Sequence, residues 1–205
     1  MPAHHPGADL GLRERKKRAT RAALQRAALE LVATRGLEGV TIEDITGRVG
    51  VSPRTFFNYF ATKEESLIDA DPGRVQRFSA ALRARPAGEA PLASMRAVLL
   101  HDAERIDAER DLWRLRFDVG AKHPEVFHAA TSASAAVDAA LAAVIADRTG
   151  TEVHRDPLPR LTTGISSAAR RTALHLWAQG KFTRTYPEVL SECFDDLSTL
   201  IAPGS

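Results

Sequence analysis

Between Thr41 and Lys63 the chain reads T-I-E-D-I-T-G-R-V-G-V-S-P-R-T-F-F-N-Y-F-A-T-K. Within it Ile45, Val49, Val51, Phe56 and Phe60 are placed to lock two short helices together, which leaves Ser52, Pro53, Arg54, Thr55, Asn58 and Tyr59 to face a ligand. Arginine and asparagine reach guanine and adenine edges bidentately, while helix N-termini and lysine ammoniums take up phosphates. That division of labour fits double-stranded DNA. A basic run, Arg13, Arg15, Lys16, Lys17 and Arg18, precedes the segment and offers a phosphate-contacting arm.

No comparable constellation exists for catalysis. Cys193 falls on an apolar helical face, and His101, His123, His128, His154 and His175 lack metal-ligand spacing. The pair His4 and His5 has no partner ligands nearby. No metal, cofactor or catalytic residue is therefore expected, and a helical enzyme is the disfavoured alternative. A single Cys also excludes a disulfide scaffold and a zinc finger. There is no apolar run of membrane-spanning length and no signal-peptide pattern, so a cytoplasmic protein is expected.

The elements that position these residues follow from periodicity. In 205 residues, 44% hydrophobic and 26% charged, there is material for a real core in one or two domains. Charge is unevenly spread: residues 1–63 carry 11 Lys/Arg against 6 Asp/Glu, whereas the rest carries 17 against 20. One end is suited to a polyanion. Residues 1–11 show no periodicity and read as a disordered arm. From Leu12 the basic run flows into Ala23, Leu24, Ala27, Ala28, Leu31 and Val32, a helical stripe that Gly36 ends. Thr41 and Asp44 form a capping box for a second helix, and Ser52 with Pro53 suits the start of a third. Asp71, Pro72 and Gly73 interrupt the next helical stretch, and Pro86, Gly88 and Pro91 mark a linker at 85–91. Helices are then predicted over roughly 92–108, 110–121, 124–149, 157–180 and 184–201. No period-2 alternation occurs, so the class is all-α. The expected organisation is an arm 1–11, a helix-turn-helix domain 12–70, a connecting helix and linker 71–91, and a larger helical domain 92–205.

Residues 29–65 resemble the DNA-binding domain of TetR/AcrR-family transcriptional regulators, in which A-x-x-L-x-x-x-x-G is followed by T-x-x-x-I-A-x-x-x-G-V-S and an aromatic stretch ending F-x-x-K-E. The resemblance implies a phosphate contact for Thr41, a recognition helix and edge holding Ser52, Pro53, Arg54, Thr55, Phe57, Asn58 and Tyr59, and a backbone contact for Lys63. Arg13, Lys16, Lys17 and Arg18 join them as candidates. Two departures from the family pattern, Arg54 in place of Gly and Phe57 in place of Tyr, mean that an operator sequence does not carry over.

The same resemblance implies that the C-terminal domain senses a ligand and dimerises through its last two helices. Leu161, Ile165, Ala169 and Leu176, with Val189, Cys193, Phe194 and Leu197, are the candidate dimer face. The candidate ligand pocket comprises Met95, Leu99, Trp113, Arg114, Arg116, Phe117, Phe127 and Leu174, with Val126, Val144, His123, His128 and Phe182 beside them. Short cues, D-A-D-P-G, the 85–91 linker and R-L-R-F before H-P-E, resemble a subgroup with acyl-CoA-like ligands. The expected protein is a homodimeric repressor released from a near-palindromic operator by a small molecule. A DNA-binding regulator without small-molecule control is the alternative.

Overall fold

The computed structural model describes residues 6–69, 71 and 73–201, the side chains of 6–10, 14, 125, 127–133 and 201 excepted. Among the described residues the chain is all-α: α1 (Pro6–Arg35), α2 (Ile42–Val49), α3 (Pro53–Phe57), α4 (Lys63–Leu67), α5 (Arg74–Arg83), α6 (Pro91–Ala108), α7 (Arg110–Lys122), α8 (Glu125–Thr149), α9 (Pro157–Gln179) and α10 (Tyr186–Ile201). The helices gather into two compact units. One holds α1 to α4 with residues 115–129, and the other holds residues 71–114 with the chain from 130 onward.

In the first unit five of the six α1 stripe residues, Leu24, Ala27, Ala28, Leu31 and Val32, are buried as their spacing predicts, whereas Ala23 at the edge of the stripe is exposed. Gly36 ends the helix at φ +76°, donating its N–H to the Val32 carbonyl at 2.9 Å. A left-handed residue at this point costs glycine little, which is why the stop falls there. The helix starts earlier than expected, at Pro6, so residues 6–11 of the expected arm are its first turns. His4 and His5 lie outside the described residues. Gln25 of α1 donates to the Ile68 carbonyl at 2.9 Å and fixes the end of α4.

The second unit begins after the predicted interruption. α4 stops at an extended Ile68, Asp71 Oδ1 accepts the Gly73 N–H at 2.9 Å, and α5 starts at Arg74. The stretch 85–91, expected to separate two modules, instead lies inside this unit and is fastened down. Arg85 pairs with Glu89, Ser94 Oγ donates to Glu89 at 2.6 Å, and Arg148 of α8 donates to the Arg85 and Pro86 carbonyls at 2.8 Å each. The division between units falls near residue 70, and residues 115–129 join the N-terminal unit although they come from the middle of the chain. Periodicity marks where helices stop and start but carries no information on which helices pack together.

The core of the second unit is made by α10 lying against α9 and α6. Met95, Leu99 and Ile106 from α6, Ala173 and Trp177 from α9, and Tyr186, Leu190 and Phe194 from α10 are all buried. The Trp177 ring lies 5.1 Å from Tyr186 and 4.7 Å from Phe182, separations at which aromatic pairs attract. Between α9 and α10 the chain turns through two left-handed non-glycine residues, Lys181 (φ 53°) and Phe182 (φ 59°). Such residues persist where their surroundings over-determine them. Here Arg110 donates to the Phe182 carbonyl at 3.2 Å, and Arg114 donates to that of Lys181 at 3.2 Å.

Candidate nucleic-acid interface

α2 is started by Thr41, whose hydroxyl accepts the Asp44 N–H at 3.1 Å while Asp44 Oδ2 accepts the Thr41 N–H at 2.9 Å. This reciprocal box satisfies two backbone donors that a helix start otherwise leaves open. The Thr41 backbone and side-chain donors, with Arg35 at 3.2 Å, hold the Asp44 carboxyl below its usual range. Gly50 ends α2 at φ 74°, and Val51 N–H reaches the Thr46 carbonyl at 3.0 Å, which turns the chain tightly into α3. Ser52 caps α3 by accepting the Thr55 N–H at 3.2 Å, and Pro53 occupies the first turn.

The apolar lock closes as its spacing predicts in three positions, with Ile45 and Phe56 at 0% and Phe60 at 1% exposure. Val49 and Val51 are half-buried at its rim. The outward set is real: Thr41, Ser52, Pro53, Arg54, Phe57 and Asn58 are exposed, and Thr55 and Tyr59 half-buried. Phe57 shows 56% of its surface, a large apolar side chain kept out of the core on a short helix. Its ring stands edge-on to Phe56 at 5.7 Å, so its attitude is set from beneath. Asn58 and Tyr59 follow α3 rather than lying in it, since the helix ends at Phe57.

Lys63 is used differently from the rest of the set. Its ammonium donates to the carbonyls of Leu37 at 2.6 Å and Val40 at 2.9 Å. Two of its three N–H groups thus close the loop between α1 and α2. Arg21 was not marked by the sequence reading, yet it holds the far end of the motif. Its guanidinium donates to the Tyr59 carbonyl at 2.5 Å and lies 4.1 Å from the Phe60 ring centre. The available signal was its place one turn before the buried Gln25 of α1. Arg13, Lys16, Lys17 and Arg18 all lie exposed along the early turns of α1.

In the second unit a small cavity of about 20 Å³ is lined by Met95 and Leu99 of the predicted pocket, with Arg74, Phe78, Asp102, Ser134, Val137, Asp138, Leu141, Ser167 and Arg170. The other predicted pocket residues are placed elsewhere. Trp113 and Leu174 are buried packing residues, and Arg114 is turned to Lys181 and the Phe182 ring. Arg116 and Phe117 belong to the first unit. The Phe127 side chain lies outside the described residues. Arg74 and Arg170 lie outside the predicted set and stand on or beside buried stripes: Arg74 with Phe78 and Leu82 on α5, and Arg170 beside Ser166, Ser167, Ala173 and Trp177 on α9. A charge on an apolar stripe was the signal to follow.

The predicted dimer face is divided in the same way. Leu161 (60% exposed), Leu176 (48%), and half-buried Ile165, Cys193 and Leu197 remain at the surface, and Leu200 is 82% exposed beside them. Ala169, Val189 and Phe194 are used by the unit's own core. Among the described residues no His/Cys/Asp/Glu cluster suits a metal ion, and no helix is long and apolar enough to cross a membrane.

A capped helix, a left-handed glycine turn and a short second helix with an exposed polar and aromatic face define a helix-turn-helix DNA-binding protein, here joined to a second, helical unit. Known proteins agree. The profile of bacterial regulatory proteins of the tetR family matches residues 24–69, and that of the MftR C-terminal domain matches residues 89–202. The HTH-type transcriptional regulator TcmR of Streptomyces glaucescens is 37% identical over 173 residues, covering 82% of this chain and 76% of that protein. Among solved structures, Thermus thermophilus FadR, a TetR-family repressor crystallised with lauroyl-CoA, is 25% identical with a TM-score of 0.53, over 90% of this chain and all of the other. The fatty acid degradation regulator FadR of Bacillus halodurans shares the fold at a TM-score of 0.58 and 15% identity, over 90% and 97% of the two chains. The chain belongs to the TetR family, whose members are DNA-binding transcriptional regulators and not enzymes.

Proposed function

We propose that this protein is a cytoplasmic, homodimeric repressor that leaves a near-palindromic operator when a small acyl-chain compound, acyl-CoA-like in its chemistry, binds the second unit. The observation that carries the reading is the exposed face of Ser52, Arg54, Phe57 and Asn58 on a unit separate from the one that holds a cavity. Arg54 and Asn58 read base edges, Phe57 offers an apolar contact to a thymine methyl, and Thr41 with the start of α3 approaches phosphates. Arg13, Lys16, Lys17 and Arg18 add sequence-independent attraction along α1.

A homodimer is supported by the unfilled apolar positions Leu161, Ile165 and Leu176 on α9 and Cys193, Leu197 and Leu200 on α10. A two-fold dimer bound to a near-palindromic operator would enter successive major grooves, about 34–36 Å apart, with its two α3 helices. The acyl-chain effector is supported by the lauroyl-CoA bound in the Thermus relative. Its action requires unequal affinity for the DNA-binding and released states.

The test is binding of the purified protein to DNA from immediately upstream of its own coding region, with random duplex as competitor, salt varied, and lauroyl-CoA then added. Competitor-resistant binding that lauroyl-CoA abolishes is the expected result. Equal, weak binding to both duplexes would overturn self-regulation, and operator binding indifferent to any acyl compound would favour a regulator without small-molecule control.

A further inference from the structure

α3 is five residues long, Pro53–Phe57, too short to stand as a helix on its own hydrogen bonds. Its attitude is set by what its two ends are tied to. The leading end is held locally, by the Gly50 turn and the Ser52 cap. The trailing end runs into exposed Asn58 and half-buried Tyr59, where the carbonyls that close a helix are left open. There the Tyr59 carbonyl accepts a hydrogen bond from the Arg21 guanidinium at 2.5 Å, across 38 residues of chain. The same guanidinium lies 4.1 Å from the centre of the Phe60 ring, within the range of cation–π attraction. Phe60 lies 5.4 Å from Phe56, which in turn holds the exposed Phe57 edge-on at 5.7 Å. Arg21 therefore grips both the backbone and the buried side of the outward-facing segment. It does so from α1, the long helix whose Leu24, Ala28 and Val32 are wholly buried, one turn before Gln25 ties down the end of α4.

We propose that Arg21 is a positioning residue for base readout: without touching a base, it fixes Asn58 and Tyr59 against α1, so that α3 meets the major groove at one attitude. This rests on the base-contact reading of Arg54 and Asn58 above. A hydrogen bond to a base edge discriminates only while its donor is held within a fraction of an ångström by the residues behind it. Attraction to phosphates falls off slowly with distance and tolerates such displacement. Loss of the Arg21 tether is therefore felt in specificity before it is felt in general affinity for DNA. An Arg21 that served as one more phosphate-contacting cation of α1 would behave in the opposite way, weakening every duplex equally.

The experiment uses the full-length protein and the duplex that the wild type selects from a randomised pool. Fluorescence anisotropy compares wild type, R21M and R21K on that duplex and on a random one, with salt varied. R21M is expected to bind the selected duplex about tenfold more weakly, the random duplex nearly as before, and with an unaltered salt slope. R21K, which keeps the charge but not the planar fork, is expected to recover part of the loss. Amide hydrogen exchange without DNA reads the tether directly: Asn58, Tyr59 and Phe60 are expected to exchange faster in R21M, and Ile45 to Val49 at the wild-type rate. Circular dichroism verifies the fold of each variant, and if R21M does not fold, the same comparisons are made with R21K, for which a smaller loss of the same kind is expected. Equal weakening on both duplexes, with the salt slope reduced by about one unit, would overturn the proposal in favour of a phosphate contact. Unaltered exchange at Asn58 to Phe60 would overturn it as well. If the wild type selects no sequence, base readout itself falls and the proposal with it. If it selects one that the variants bind equally well, the role of Arg21 falls alone.

Discussion

The Lys63 ammonium sits 2.6 Å from the carbonyl oxygen of Leu37, 26 residues earlier in the chain, and with Val40 it closes the loop that sets α1 against α2. Hydrogen bonds to a charged group contribute about 1.5–3 kcal/mol when partly shielded from water. K63M is therefore expected to lower the stability of the protein by about that amount, read as a fall in the midpoint of thermal or urea unfolding. The dependence of DNA affinity on salt separates this role from a phosphate contact. A slope unchanged in K63M fits loop closure, and a slope reduced by about one unit would show that the third N–H reaches the duplex.

Arg54 and Asn58 lie exposed on the face that α3 and its end present, and neither takes part in the buried lock of Ile45, Phe56 and Phe60. R54A and N58A are each expected to weaken operator binding by about 1–3 kcal/mol with little change in unfolding temperature. Fluorescence anisotropy on operator and random duplexes decides their role. A loss confined to the operator marks base contacts, and an equal loss on both marks phosphate contacts.

The helix-turn-helix was legible in the sequence because its stops and starts are local. Gly36, Thr41, Gly50 and Ser52 act on backbone groups three to five residues away, and the structure uses each as its residue type predicts. The pocket was less legible because it depends on which helices meet. Arg114 and Arg116 stand among the pocket candidates as polar anchors in R-L-R-F, yet one donates to the α9–α10 turn and the other belongs to the first unit. Arg74 and Arg170 come to line one cavity only because α5 and α9 both pack on α6, which no local pattern encodes. The dimer face was half legible for a related reason. A wide apolar stripe on α10 suits two contacts, but does not tell which residues serve the fold, as Val189 and Phe194 do, and which remain outside, as Leu197 does.

Glu89 joins the α5–α6 connection by accepting from Arg85 and from Ser94 Oγ, and these donors, Arg85 foremost, pull its carboxyl from 4.5 down to about 2. A carboxylate whose pKa is lower in the folded state contributes stability that is complete above the unfolded value and is lost as pH falls through the folded one. The contribution of Glu89 is thus present above pH 4.5 and disappears between there and about pH 2. In E89Q that part of the acid dependence is expected to vanish. Unfolding midpoints of the two proteins, measured across this range, should converge towards its acid end. Parallel curves for wild type and variant would show that the pair does not hold the connection.

Leu161 shows 60% of its surface and Leu176 48%, on the same helix as half-buried Ile165, while Cys193, Leu197 and Leu200 open beside them on α10. If a second copy covers these leucines, as proposed, the interface is strongly disturbed by a charge at its centre. L161E is expected to turn a dimer into a monomer in sedimentation velocity, with helicity and thermal unfolding of the single chain retained, because the site is outside the chain's own core. The DNA consequence is the sharper measurement. A monomer holds one half-site, so operator binding should fall by two orders of magnitude or about 3 kcal/mol, the factor lost when a second, tethered contact is removed, while binding to random duplex changes far less. A monomeric L161E that still binds the operator at wild-type affinity would break the link between this face and DNA recognition. An L161E that stays dimeric would place the two-fold contact on another surface.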